Sequence, residues 1–595
     1  MKNILKISVA CFLLCLGGCA DFLEEEPKGK IGTEYLTTEK GMNDLVTSVY
    51  GSSRSVVQYL CDLGEMGTDL WTWAGSGEKD LTWYNTNELP NKGYIKDFWR
   101  YLYEPINNIN FGLSVIDNIA FASEKQKDCV IGELHFFRAW YYYYIVETWG
   151  EGAHYTVDPL PAGTFTTIGN QKSIADFYKL ILSDIDIAMT NLPEPKAVTE
   201  YGRVHIAAAK ALKSRLLMAL AGYNDYANKD VLKGLADSRY PDTKAIYTEV
   251  QKLSDELIHD YSFQLLDNID DVFDVYNEQN DEVILAVQFT TNTSYNTGLS
   301  SDNQTYPHKY WVSPHTKSAV DLSKVPDSRG HTKVYGREWQ RNMPTRWYLS
   351  RFGKYDKRFE STFVWAWCKM KSDDDTSVNY LNPSKVTVKC DTVLVRLPYK
   401  YEGDRSLKPY IVNDIDDMYD PVTGLPKPNG RSCYNTLKKF LDPTRQIPKD
   451  ERSYKDVIVF RLGEVYLNAA EAAWKLNDNI AAATYLNDLR KRAIVPGHEA
   501  DMKVDPSDLS LNYILDERAL ELGAEFIRWF DLKRTRTLID RTLKYNPDAK
   551  SAANGNPYGN GQINEIHYVR PIPQYEMDNI TNKPEFKQNP GYPAK

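Results

Sequence analysis

The sequence predicts a mostly α-helical protein in which paired helices form a scaffold and an irregular region of loops and short strands lies over it. Three observations carry this expectation. Apolar residues recur at three- and four-residue spacing through long stretches before residue 264 and again after 451. Between them, residues 265–450 are rich in Gly, Pro, Asn, Asp and Ser and hold only short strand candidates. Tyrosine (41) and tryptophan (13) are abundant, and some of them fall in polar, Gly-containing segments that have no helical period.

The first element is a leader. Lys2 and Lys6 precede the apolar run ISVACFLLCL, which has the length of a signal h-region and is too short to span a bilayer. Gly17, Gly18 and Cys19 follow, so Leu-Gly-Gly-Cys looks like a lipobox, the pattern cut just before a cysteine that carries lipid. The small-small-Cys order falls where the apolar run stops, which favours this over a plain signal peptide with an incidental cysteine. A lipidated Cys19 would begin the mature chain, and each buried acyl methylene would contribute about 0.8 kcal/mol to anchoring. No other stretch is apolar over a membrane-spanning length, so the expectation is a protein anchored to a membrane without crossing it. Asp21, Glu24, Glu25 and Glu26 make the following tether acidic.

Helices come next. Met42, Leu45, Val46 and Val49 share one face, as do Trp99, Leu102, Ile106, Ile109 and Leu113. The stretch KDCVIGELHFFRAWYYYYIVETWG is a long helix ending at Gly150. SIADFYKLILSDIDIAMTNLP is amphipathic, with Ser173 as its N-cap and Pro193 beyond its end. GRVHIAAAKALKSRLLMALAG carries small residues suited to close packing, and residues 243–261 add another helix. DEVILAVQF, VTVKCDTVLVRLP and DVIVFRL read as strands. Helix then returns in EVYLNAAEAAWKL, AAATYLNDLRKRA, LNYILDERALELGAEF and IRWFDLKRTRTLI, and these pairs resemble tetratricopeptide-type repeats. The divisions expected are a signal peptide at 1–18, a lipidated acidic tether at 19–40, an N-terminal helical region at 41–264, the irregular region at 265–450 and a C-terminal helical region at 451–595. The last three are expected to form one compact unit.

Composition excludes several functions. The net charge is −10 with Lys and Arg dispersed, so there is no nucleic-acid footprint. Cys61, Cys129, Cys368, Cys390 and Cys433 match no zinc spacing; Cys368 and Cys390 could pair in an exported protein. No G-x-S-x-G, H-E-x-x-H or phosphate-binding loop is present, and the acid clusters DNIDD, SDDDTS and NDIDDMYD lack the EF-hand order. The chain is therefore read as a non-enzyme without cofactor or metal. A lipid-anchored hydrolase is a further option for which no motif speaks, although a glycosidase's carboxylate pair comes from distant positions. Glu464, Glu471, Glu517, Glu521, Arg518 and Asp531 recur among apolar residues at helical spacing, as buried ion pairs joining helix layers would.

Sugars present apolar C–H faces and polar edges, so a polysaccharide binder needs aromatics held out on polar loops. Residues 62–94 fit, with Trp71, Trp73, Trp83 and Tyr84 among Gly, Ser, Thr and Asn. A second segment, NTSYNTGLSSDNQTYPHKYWVS, offers Tyr310 and Trp311. A third, YGREWQRNMPTRWY, holds Trp339 and Trp347, read as loop-anchoring core.

RLGEVYLNAAEA (461–472) resembles the C-terminal signature of the SusD/RagB family of outer-membrane nutrient-binding lipoproteins. YLNDLRKRA, ERALELGAEFIRWFDLKR, PIPQYEM and QNPGY follow in family order. So do WRYLYEPINNIN, GELHFFRAWYYYYIVETWG, GRVHIAAAKALKSRLL and DEVILAVQF before it, and the resemblance covers nearly the whole chain. One departure is local: the family's usual Glu-Gly before Arg-Trp-Phe-Asp-Leu is replaced by Phe526 and Ile527 between Glu525 and Arg528. The resemblance implies a SusD-like fold, a Cys19-anchored place on the outer membrane, display outwards helped by the acids behind Cys19, and binding without cleavage. It also implies a partner, a SusC-like TonB-dependent barrel over which the protein closes as a lid. In the family's starch-binding founder, the loop after the first helix carries stacking aromatics, which supports the position of the 62–94 segment. Aromatic, polar loops favour a glycan ligand; the alternative is a RagB-like peptide binder serving the same kind of barrel, with a less aromatic groove.

Overall fold

The computed structural model describes residues 33–84, 90–161, 164, 166–198, 200–290, 307–315, 333–368, 392–445, 453–556 and 561–593. The leader, Cys19 and the tether as far as residue 32 lie outside them, while Thr33–Leu36 is already a short helix. The architecture is mostly α, as the periodicity predicts.

Six long helices build the first half: α1 (Glu39–Leu63), α2 (Gly93–Val115), α3 (Glu124–Trp149), α4 (Ile174–Asn191), α5 (Ile206–Gly222) and α6 (Thr243–His259). Their starts follow capping chemistry. The Thr38, Ser123, Ser173 and Asp242 side chains accept hydrogen bonds from the backbone amides of Gly41, Gln126, Asp176 and Ala245. α3 is buried on every side from Phe136 to Trp149, which explains why its sequence is aromatic without a polar face. The alanines of α5 are likewise buried.

Five helices build the C-terminal part: α7 (Leu462–Lys475), α8 (Asn479–Arg490), α9 (Leu511–Leu522), α10 (Arg528–Arg534) and α11 (Leu538–Tyr545). α3 packs on α4, α4 on α5, α5 on α6, α6 on α7 and α7 on α8. Consecutive helices therefore cover each other's apolar faces, and the N- and C-terminal regions share one layer. The tail returns to α3: the Trp149 indole donates to the Pro571 carbonyl at 2.9 Å, and Asn589 donates to the Trp149 carbonyl at 2.9 Å.

The middle of the chain is held by short strands: β1 (Trp71–Trp73), β2 (Val283–Val287), β3 (Asn342–Pro344), β4 (Phe363–Val364), β5 (Ala366–Cys368), β6 (Thr392–Arg396), β7 (Ile411–Asn413), β8 (Thr436–Leu437) and β9 (Val457–Arg461). β2 and β9 pair antiparallel, so the strands read from DEVILAVQF and DVIVFRL meet across the whole irregular region. β1 pairs with β3, β4 with β8, and β5, β6 and β7 form a three-stranded sheet. Cys368 is disulfide-bonded, to a partner outside the described residues, while Cys61, Cys129 and Cys433 are free thiols. No described helix is long and apolar enough to cross a membrane.

The signature carboxylates are buried and paired. Arg215 meets Glu464 at 2.6 Å, Arg534 meets Glu471 at 2.5 Å, and Arg518 meets Asp531 at 2.7 Å. Arg358 reaches Glu517 at 2.7 Å, and Arg492 bonds Glu521 at 2.7 Å and also Glu282. Burial opposes ionisation of Glu517, but the Arg358 and Arg490 guanidiniums outweigh it and hold its carboxyl down at about 2. At the family departure, Phe526 adopts the left-handed region (φ 66°) that Gly would occupy without strain. Its ring stacks on Phe440 at 5.3 Å, and its carbonyl lies where any Cβ on Gly64 would fall, 2.3 Å away.

Candidate functional site

The loop between α1 and α2 is fixed from below before any ring is placed. Asp69 is fully buried and accepts from Arg528 at 2.6 Å and from Arg541 at 2.8 Å. Asn546 donates to the Thr68 carbonyl at 2.8 Å and to the Trp71 carbonyl at 3.2 Å. β1 then leaves this base paired to β3, with Trp71 opposite Pro344 and Trp73 opposite Asn342. Two more backbone bonds, Ala74 to the Arg341 carbonyl at 2.8 Å and Ser76 to the Gln340 carbonyl at 2.9 Å, lay the following loop along residues 339–342. Gly77 (φ 78°) permits that approach: a Cβ there would sit 2.9 Å from the Arg341 Cγ.

The six aromatics singled out from sequence divide sharply. Trp71 is fully buried, with its ring edge-on to Trp311 at 5.7 Å and to Tyr348 at 5.5 Å. Trp311 is 1% exposed and packs against Phe440, so it anchors its loop. Tyr310 is buried beneath the Arg341 guanidinium, 4.3 Å from its ring centre. Tyr84 is buried in a left-handed turn (φ 47°), its hydroxyl donating to the Gly67 carbonyl at 2.9 Å. The expectation of exposed stacking faces at Trp71, Tyr84, Tyr310 and Trp311 is therefore corrected: all four are core, because the loops that carry them turn inward to close on α1 and α10.

Trp73 and Trp83 remain half-buried at the surface. Their rings meet edge to face at 5.6 Å and 71°. Both indole N–H groups are shielded from solvent and have no acceptor among the described residues, as is also the case for the core indoles Trp71 and Trp311. Trp339, read as core from sequence, is half-buried too and stacks on Tyr310 at 5.8 Å and 14°. The Ser76 hydroxyl donates to its carbonyl, which places it beside the Trp73 loop. Trp73 and Trp83 form a ledge, and Trp339 stands on the neighbouring loop with its ring faced by Tyr310 and by the Lys309 ammonium, 3.3 Å from the ring centre. Lys79 lies 5.1 Å from the Trp83 ring, Arg431 5.2 Å from Trp73 and Arg341 5.0 Å from Trp339. Glu78 and Gln340 are half-buried on the same two loops. Arg341 pairs with Asp62 at 3.0 Å, and burial pushes the Asp62 carboxyl above its usual range despite that partner.

The signal that could have found Trp339 is its setting, Gly336-Arg-Glu-Trp-Gln-Arg341, whose polar and Gly-containing texture matches that of residues 74–79. Trp347, also read as core, is half-buried and stacks on Tyr545 at 4.2 Å. Among the described residues no group of three or more His, Cys, Asp or Glu is arranged to hold a metal ion. Chemically, the ledge offers partly exposed indole surface, an ammonium and a carboxylate, which is an inventory for stacking and hydrogen bonding to a hydroxyl-rich ligand.

The fold and the ledge define the class, a helical scaffold that carries its site on long inter-helix loops. The chain belongs to the SusD family: the SusD family model matches residues 281–592, and a second model, described as starch-binding associating with outer membrane, matches residues 21–218. It is 25% identical to the SusD-like protein P25 of Formosa agariphila, over 97% of each chain. Among solved structures, a SusD homolog from Bacteroides thetaiotaomicron aligns with a TM-score of 0.66 at 17% identity, covering 95% of this chain and all of that one. Surface glycan-binding protein A from Bacteroides thetaiotaomicron, solved in complex with laminarihexaose, aligns with a TM-score of 0.61 at 18% identity, covering 93% and 99%.

Proposed function

We propose that this protein is a glycan receptor of the cell surface, without catalytic activity, that captures oligosaccharides or polysaccharides on the ledge of Trp73 and Trp83, beside Trp339. The observation that carries this reading is the pair of touching, half-buried indoles, Trp73 and Trp83, held on a polar, Gly-containing loop. The partly exposed indole surfaces suit stacking against the apolar C–H faces of a sugar. Glu78 and Lys79 add an acceptor and a donor, which suits hydroxyls that do both. Family membership and the laminarihexaose complex of a structural neighbour support a glycan over a peptide.

Anchoring belongs to the same proposal. Cys19 carries lipid, the acidic stretch behind it tethers the folded unit to the outer membrane, and those acids assist display on the outer face. The captured glycan passes to a SusC-like TonB-dependent barrel over which this chain acts as a lid.

The test is affinity electrophoresis and calorimetry of the soluble chain from Ala20 onward, against plant, microbial and host glycans and a mixed peptide digest. Retention by a glycan with no product released is the expected result. Binding from the peptide pool alone, or release of shorter sugars, would overturn it.

A further inference from the structure

We infer that Arg431 and Asp548 are positioning residues of the ledge: their buried ion pair, closed onto Thr72 and the Trp73 backbone, sets the plane of the Trp73 indole. This inference rests on the glycan reading of the ledge.

The geometry joins three segments far apart in sequence. Asp548 is fully buried, and its own carbonyl is held by the Asn556 side chain at 2.9 Å. Its two carboxylate oxygens accept one Arg431 nitrogen at 2.8 and 3.0 Å, and one of them also accepts the Thr72 hydroxyl at 2.5 Å. Thr72 faces the opposite side of β1 from Trp73, so the carboxylate grips the strand from behind. The Arg431 guanidinium also donates to the Trp73 carbonyl and lies 5.2 Å from the Trp73 ring centre. One side chain therefore contacts both the backbone and the ring of the same tryptophan.

The origin of Arg431 is fixed as well. It sits in the short 3-10 turn Asn429–Ser432, where a Cβ on Gly430 would fall 1.9 Å from the Met418 carbonyl oxygen. The turn is thus pressed onto the Met418 backbone. With its charge committed to Asp548, Arg431 acts through Trp73: the guanidinium braces one side of the indole while Trp83 abuts it at 5.6 Å. Lysine could supply the charge but not the planar fork that reaches a carboxylate and a carbonyl together.

The experiment uses the same soluble chain, the polysaccharide that retards it most in the electrophoretic panel, and laminarihexaose as the first oligosaccharide in calorimetry. Arg431→Met is expected to weaken binding about tenfold or more, Arg431→Lys less, and Thr72→Val, which leaves the ion pair intact, about two- to fivefold. The near-UV circular dichroism of the indole pair should change in Arg431→Met while the far-UV spectrum stays. The double variant Trp73→Ala/Arg431→Met should bind no more weakly than Trp73→Ala alone, because Arg431 acts only through that ring. If Trp73→Ala loses binding while Arg431→Met and Thr72→Val stay within twofold of the parent, the clasp does not position the ledge. The same conclusion follows if the double variant is additive. If Trp73→Ala itself binds like the parent, the ledge is the wrong site and both readings fall together.

Discussion

The ionic layer under α7–α9 and the aromatic ledge are both built from polar groups withdrawn from water, but they are finished differently. In the layer each carboxylate meets guanidiniums or an ammonium: Glu282, Glu517, Glu521 and Glu525 are met by Arg358, Arg461, Arg490, Arg492 and Lys439. On the ledge the Trp73 and Trp83 rings carry no charge pair of their own and stay half-buried, meeting edge to face at 5.6 Å. Buried charges that pair with one another hold a fold together, whereas indoles kept partly at the surface on a polar loop leave area for a ligand.

The sharpest way to break this contrast is to unpair the layer. Glu517→Gln leaves Arg358 and Arg490 without their shared carboxylate and should cost about 3–5 kcal/mol in urea unfolding. Glycan binding by the molecules that remain folded should be unchanged. Trp71→Ala should cost a similar amount, about 3–5 kcal/mol, by opening a cavity among Trp311, Tyr348 and Phe363. Its neighbour two residues on behaves in the opposite way. Trp73→Ala should weaken glycan binding about tenfold or more, or about 1.4 kcal/mol, with a smaller change in stability. If Trp73→Ala destabilises as much as Trp71→Ala, the ledge is only more core.

Acid sharpens the layer's side of the comparison. Glu517 is held at about 2 in the folded chain, below the ordinary glutamate value of 4.5. A carboxyl with a lowered folded pKa contributes stability that is fully present above about pH 4.5 and is lost as pH falls through about 2. Urea midpoints should therefore decline through that window, and more shallowly in Glu517→Gln. The smallest expected effect is at the rim: Lys79→Ala removes an exposed ammonium from beside Trp83 and should change affinity by about threefold or less.

Much of this was legible in the chain. Ser173 caps its helix as its position ahead of an amphipathic run predicts, and the first strand of the irregular region pairs with the strand just beyond its end. The signature carboxylates and arginines were legible as ion pairs because their spacing places them on inward helix faces. The ledge was legible only as a neighbourhood. Trp71 and Trp73 stand two apart in the same polar, Gly-rich stretch, and nothing local separates the fully buried one from the half-buried one. Trp339, in a similar stretch some 260 residues further on, reads from sequence as loop-anchoring core.

By itself the sequence determined the helical class, the family and the ionic layer, since these depend on periodicity and on residue types repeated along a helix. Only the tertiary structure decided which aromatics reach the surface. That choice rests on Asp69 tied to Arg528 and Arg541, Asn546 tied to the Trp71 carbonyl, and Asp548 tied to Arg431. Each of these contacts joins the 68–73 loop, directly or through Arg431, to residues more than four hundred positions away, and the burial of a loop tryptophan is set by what the rest of the chain brings against it.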